Sequence, residues 1–133
     1  MANPNIAGAS TTILGTTTYL TPSATTPVIL VANTSTSGQV FKINQIVAAN
    51  VNGTSAVDTT VSIYVGSSVT TQGSAPASGT AYPIVSTVSV PADASLIVTD
   101  KTTAIYLMEN QLISVTSGTA SGITYTISYE VIS

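Results

Sequence analysis

Few side chains in this chain could do chemistry. The candidates are Lys42, Lys101 and five acids, Asp58, Asp93, Asp100, Glu109 and Glu130; histidine, cysteine, tryptophan and arginine are absent from the 133 residues. Hydroxyls are abundant, but a hydroxyl attacks only when a base removes its proton, and no imidazole is present to do so. The remaining route, Ser or Thr activated by Lys, needs a desolvated amine. Lys42 falls on the outward face of an alternating strand pattern. Lys101 belongs to Asp100-Lys101-Thr102, a turn that keeps its ammonium in water. Neither sits beside a Gly-x-Ser-x-Gly elbow.

The acids fare no better as catalysts. Asp58-Thr59-Thr60 lacks the glycine of an aspartic-protease Asp-Thr-Gly, so Asp58 reads as a turn cap at the start of a strand. A glycosidase needs two facing carboxylates about 5–10 Å apart, a pairing that acids this sparse could reach only across strands, and each reads instead as a solvated loop residue. Asp93 with Asp100, or Glu109 with Asn110, could offer oxygens to calcium, but not at the intervals of a calcium loop. No glycine-rich phosphate loop occurs, and without Cys or His there is neither a zinc set nor a disulfide. The expectation is a non-enzymatic protein with no metal and no cofactor.

Partners are bounded in the same way. Two lysines cannot neutralise a run of phosphates or build a polybasic membrane patch, so neither nucleic acid nor membrane is expected as a partner. The longest strongly apolar run, Val28-Ile29-Leu30-Val31-Ala32, falls far short of the roughly 20 residues of a membrane helix. Residues 1–8 carry neither a charged leader nor an apolar stretch and do not read as a secretory signal, so synthesis in a cytoplasm is expected. Asn33-Thr34-Ser35 and Asn52-Gly53-Thr54 match the glycosylation pattern, but without an export signal they read as chance. Six tyrosines could form a sugar platform. Tyr125 and Tyr129 share an inward strand face, however, and should fill the core with their hydroxyls at its rim, while Tyr19, Tyr64, Tyr82 and Tyr106 lie in other strand patterns.

The elements that must carry these residues are strands. Ser and Thr supply about a third of the chain and Val, Ile and Thr about two-fifths, a strong bias toward strand formers. Mean hydropathy is positive and only 5% of residues are charged, the reverse of a disordered composition. Residues 123–131 alternate strictly: Ile123, Tyr125, Ile127, Tyr129 and Val131 on one face, Thr124, Thr126, Ser128 and Glu130 on the other. Residues 58–65 and 111–117 repeat the pattern. Residues 28–31 are apolar on both faces, as in a strand covered on both sides. Residues 40–49 shift phase near Asn44-Gln45, predicting a bulge or a switch of sheet.

Further strands are expected at 11–21, 81–90, 96–99 and 104–108. Asn52-Gly53 suits a tight hairpin between 40–49 and 58–65. Pro83 demotes the start of its strand to an edge or a bulge. Pro22 and Pro27, the 66–79 connection, Pro91-Ala92-Asp93-Ala94 and residues 117–122 supply the loops. Eight or nine short strands with no convincing helix predict an all-β fold: a single antiparallel β-sandwich, jelly-roll-like, over 11–133, preceded by an N-terminal arm over 1–10.

Composition also bears on role. Solvated monomers ordinarily carry many more charges for solubility, whereas neutral hydroxyl and amide surface costs little to desolvate against a partner. Such a chain suits a large assembly, with homo-oligomers expected. The candidate contact elements are the arm, with Asn3, Pro4, Asn5 and Ile6, and the long loop, with Ser74, Ala75 and Pro76.

Four stretches add a likeness: Met1-Ala2-Asn3-Pro4-Asn5-Ile6; residues 38–44 followed by 48–53; Val90-Pro91-Ala92-Asp93; and residues 105–115. Through them the chain resembles the small all-β virion structural proteins of tailed bacteriophages, especially marine and cyanobacterial ones. The resemblance implies a virion component, either a capsid decoration or cement protein bound to the major capsid protein or a small tail or neck protein. It supplies no catalytic residue. A receptor- or glycan-binding module is the alternative from another class.

Overall fold

The computed structural model describes residues 7, 8 and 11–133; Asn3, Pro4, Asn5 and Ile6 lie outside the described residues. Nine strands follow in order: β1 (Ile13–Leu20), β2 (Val28–Asn33), β3 (Val40–Asn50), β4 (Val57–Val65), β5 (Thr80–Val90), β6 (Ser95–Thr99), β7 (Ile105–Leu107), β8 (Gln111–Ser117) and β9 (Ile123–Ile132). A single 3-10 turn, Lys101–Thr103, separates β6 from β7 and is the one helical element among the described residues.

The strands make two antiparallel sheets. In sheet A the order is β1-β9-β3, and β3 then pairs β7 through Phe41–Ile43 and β6 through residues 46–49. Sheet B runs β2-β8-β4-β5. With β6 and β7 counted as one interrupted strand, this is the order of a jelly roll. The core lies between the sheets: Ile123, Tyr125 and Ile127 of β9 and Ile43, Ile46 and Ala48 of β3 meet Val57 and Val61 of β4 and Ile113 and Val115 of β8, all buried. Period-two alternation produces this arrangement, because each strand sends every second side chain inward.

The phase shift in β3 is a bulge. Its register against β9 slips between Ile43 and Gln45, leaving Asn44 unpaired, while β3 stays in one sheet throughout. Its other neighbour changes from β7 to β6 around the same place, so the bulge bends the strand where its edge partner changes. Pro83 lies on β5, an edge strand, at a register irregularity against Ser62, where no ladder donor is lost. Apolar residues on both faces of β2 are also explained. Leu30 and Val31 enter the core, while Ile29 is fully buried outside it, its backbone bonded to Gly73 and Ser74 of the 66–79 connection.

One expectation fails. Residues 51–56 do not close a hairpin, because β3 and β4 belong to different sheets. The connection is an arch held by Asn50, whose buried amide donates to the carbonyls of Ser55, Val90 and Pro91 and whose Oδ1 accepts from Asn52 N–H. Asn52 in turn accepts from Thr54, and Gly53 does not take the positive φ that a type I′ turn requires. The Val90 and Pro91 carbonyls tie this arch to the end of β5.

Candidate assembly interface

The titratable side chains are dispersed and several are already engaged. Lys42 stands opposite Glu130 across β3 and β9, with Tyr106 on its other side. Lys101 is exposed in the 3-10 turn beside Asp100. Asp100 caps that turn, accepting from Thr102 N–H and Oγ1, and these bonds hold its carboxyl below the ordinary range. Glu109 accepts from Gly38 N–H at 2.6 Å, fixing the 34–39 loop. Asp58 is not a side-chain cap: it lies within β4 and its backbone carbonyl accepts from Gly118 N–H. Among the described residues no three His, Cys, Asp or Glu side chains gather as a metal site, and no helix is long and apolar enough to cross a membrane.

The tyrosines divide into two groups. Tyr129 stacks on Phe41 with ring centroids 5.2 Å apart. Tyr125 does not reach the rim. It is fully buried, and its hydroxyl crosses from sheet A to sheet B, bonding the Thr59 hydroxyl and donating to the Thr116 carbonyl at 2.8 Å. A β9 side chain of phenol length spans the gap to β4 and β8, which shorter inward residues cannot. Asn33 is likewise internal: its amide donates to Gln39 and Leu107 carbonyls, so the side chain cannot carry a glycan.

What the molecule offers to partners lies on the outward side of sheet A. Register places Tyr19, Thr126, Val47 and Ile97 in one row, Thr17, Ser128 and Gln45 in the next, and Gly15, Glu130, Lys42 and Tyr106 in a third. Thr17 and Ser128 hydroxyls bond at 3.1 Å and those of Thr21 and Thr124 at 2.8 Å. Lys42 and Glu130 stand directly opposite each other on this face, and Asp100 and Lys101 flank it around a hollow shared with Gln45 and Ser128, so the face carries no net charge. The excess acids, Asp58, Asp93 and Glu109, sit elsewhere, at strand ends and turns.

At the border of this face is β1, the most exposed strand. Ile13 is 54% exposed, Leu14 60% and Tyr19 73%. Leu14 points to the inward side and is still open, so sheet B does not cover β1 there. Sequence patterning did not single out this edge. The available signal was a strand with neither a charge nor a proline, on a chain whose first charge is Lys42.

The 66–79 connection is pinned rather than free. Its neck is pinched at Gly66 and Gly79, Ser68 N–H donates to the Ala77 carbonyl, and its tip reaches the far edge of sheet B. There Gly73 N–H donates to Ile29, and Ile29 N–H donates to Ser74. Gln72 continues to β1, donating to Thr18 Oγ1 and the Tyr19 carbonyl. Ser74, Ala75 and Pro76 therefore lie along β2, on the same side of the sandwich as the β1 edge; Ala75 is exposed and the other two are half-buried. Gly73 and Ala75 help line a hollow of about 380 Å³ with Leu20, Pro22 and Val28.

A second hollow, about 470 Å³, opens beside the β3 bulge, lined by Asn44, Gln45, Asp100, Lys101, Thr102 and Ser128. Asn44 Oδ1 is itself buried, closed off from the hollow, and has no protein donor. Comparison with protein-family models, curated proteins and solved structures finds no match to this chain.

Proposed function

We propose that this chain is a non-enzymatic building block of a virion, a capsid decoration or cement protein that packs against the outer surface of a coat lattice and stabilises it. The observation that carries the reading is the neutral, hydroxyl-rich outward face of sheet A, with Lys42 and Glu130 opposed and the surplus acids displaced to strand ends and turns. Covering such a face takes an opposed pair of charges and no surplus ion out of water, so a modest contact can be favourable. A standard interface removes roughly 1,600 Å² from water, and repetition over a lattice turns modest affinity into avidity. Jelly rolls recur in capsids, lectins and cupins, so the fold is compatible with the role without selecting it. The likeness of the four stretches to phage virion proteins supplies the choice of assembly.

The test is to strip the protein from purified particles and follow shell disassembly under heat or low salt. The proposal predicts earlier disassembly after stripping and recovery on adding the protein back. Shells of unchanged stability would contradict it, and labelling at the tail or neck would move the protein there.

The polar hollow beside the β3 bulge favours a second reading, a glycan-binding module. The amides of Asn44 and Gln45 and the hydroxyls of Thr102 and Ser128 around the hollow match a polyhydroxylated ligand. Saturable sugar binding by calorimetry, lost in Asn44→Leu, would support that reading.

A further inference from the structure

We infer that the free edge of β1 pairs antiparallel with β1 of a second copy of this chain, in a register centred on Gly15. The inference deepens the assembly reading by naming a partner and a surface.

The hydrogen-bond pattern identifies the free groups. Thr12 and Ser133 exchange both backbone bonds, each at 3.0 Å. In an antiparallel pair the bonded positions alternate, so Leu14, Thr16, Thr18 and Leu20 bond to β9, while Ile13, Gly15, Thr17 and Tyr19 turn their N–H and C=O outward. Two contacts agree with this phase. Thr17 and Ser128 side chains meet at 3.1 Å, as in a closely spaced non-bonded pair, and Gln72 reaches the Tyr19 carbonyl from outside. Among the described residues, nothing takes up the outward groups of Ile13, Gly15 and Thr17.

The rest of the molecule manages its edges differently. β5 carries Pro83 and register irregularities, β6 and β7 are short and interrupted, and β2 is bonded to the 66–79 connection. Among the edges of the described residues, β1 alone remains long, uncharged and proline-free. Such an edge is a template for another strand.

A second copy is the occupant that fits. Because Gln72 occupies Tyr19, the usable groups are those of residues 13, 15 and 17, which are symmetric about Gly15. A two-fold axis there pairs Ile13 with Thr17, Gly15 with Gly15, and Thr17 with Ile13, satisfying the outward groups of these three residues on both chains. No like charges meet, because β1 has none. Leu14 of each copy comes diagonal to Leu14 of the other. The stretch that pairs, residues 13–17, is roughly 17 Å long at about 3.4 Å per residue, and two sheets about 10 Å apart with their side chains make the edge roughly 20 Å wide. The two copies then bury about 700 Å² together, below the roughly 1,000 Å² of a stable contact, so the pair is a weak one that forms at high concentration or side by side on a lattice. Ala75 and the hollow under Leu20 lie on the same side and extend the contact.

The test is sedimentation velocity on the purified full chain over a wide concentration series, with circular dichroism and melting to check folding. Wild type should approach twice the 13.4 kDa of one chain as concentration rises. Gly15→Lys is accommodated in the monomer, since a side chain there meets nothing within 4 Å and faces Glu130. In the pair it opposes two lysines and should weaken dimerisation at least about tenfold. Thr17→Pro removes an outward N–H without touching the β9 ladder and should also weaken the dimer. Mixing Gly15→Lys with Gly15→Glu should restore a heterodimer. A wild type that stays monomeric leaves the edge to an extended segment of another protein and overturns the inference, as does a dimer unchanged by both substitutions. Because no virion is used, self-pairing and shell binding can fail independently.

Discussion

Replacing Tyr125 with phenylalanine removes one oxygen from the middle of the core. The Tyr125 hydroxyl donates to the Thr116 carbonyl at 2.8 Å and bonds Thr59, whose own side chain is buried. Leaving buried partners unsatisfied costs about 1–3 kcal/mol. Thr59 Oγ1 lies 3.4 Å from the Thr116 carbonyl and can turn to it, so the lower half of that range applies, about 1.5 kcal/mol. For 133 residues the entropy of unfolding is near 0.28 kcal/mol/K, so the melting temperature should fall by about 5 °C at neutral pH.

The pH dependence of the same variant is a sharper test. Burial pushes the Tyr125 phenol up to about 12, with the Thr59 bond acting in the opposite direction. In the unfolded chain it titrates near 10. Between about pH 10 and 12 the unfolded state has released a proton that the folded state keeps, so wild type loses about 1.4 kcal/mol per unit as pH rises. Below pH 10 that contribution is fully present. Phenylalanine has no proton to lose, so the wild-type advantage should vanish near pH 11 and reverse above it. Tyr129, also raised by burial, is common to both proteins and cancels. Urea titrations across this range provide the measurement. Parallel alkaline limbs together with an unchanged melting temperature would refute the cross-core bond.

Other substitutions probe the loop and the arch. Gly79→Ala should cost more than about 2 kcal/mol, because φ is +80° and a Cβ would lie 2.3 Å from the Val65 carbonyl. Gly73→Ala, with a similar φ but only Leu20 at 3.9 Å, should cost about 1 kcal/mol in the same denaturant titration. Asn50→Ala should cost about 2–3 kcal/mol by leaving the Ser55, Val90 and Pro91 carbonyls without their donor, read from the urea midpoint. Asp100→Ala should flatten the acid limb of stability. Its lowered pKa contributes above the ordinary carboxyl range, and that contribution is lost as pH falls through the lowered value, so melting profiles of the two proteins should converge in acid.

Much of this fold could be read from residue pattern, because each strand has one wet and one dry face. Ile123 to Val131 carried its facing in its alternation, and the Ile46-Val47 phase slip marked the Asn44 bulge. Sheet membership was less legible. Asn52-Gly53 carries a hairpin signature, but Asn50 reaches the Val90 and Pro91 carbonyls some forty residues away, and nothing local announces such partners. The cross-core role of Tyr125 was hidden for the same reason, since inward facing does not say what lies opposite. Ser74, Ala75 and Pro76 stood out as loop composition, yet the bonds from Gly73 and Ser74 to Ile29 are pairings at long sequence separation. The open edge of β1 depends on strand order, which alternation does not encode. Asn3, Pro4, Asn5 and Ile6 lie outside the described residues.

The most direct test of an assembly role is to quantify this protein in gradient-purified phage particles by mass spectrometry and to locate it by antibody labelling of intact heads. A cement role predicts many copies per particle, labelled on the outer shell. Particles free of the protein, with the chain remaining soluble in the infected cell, would contradict it.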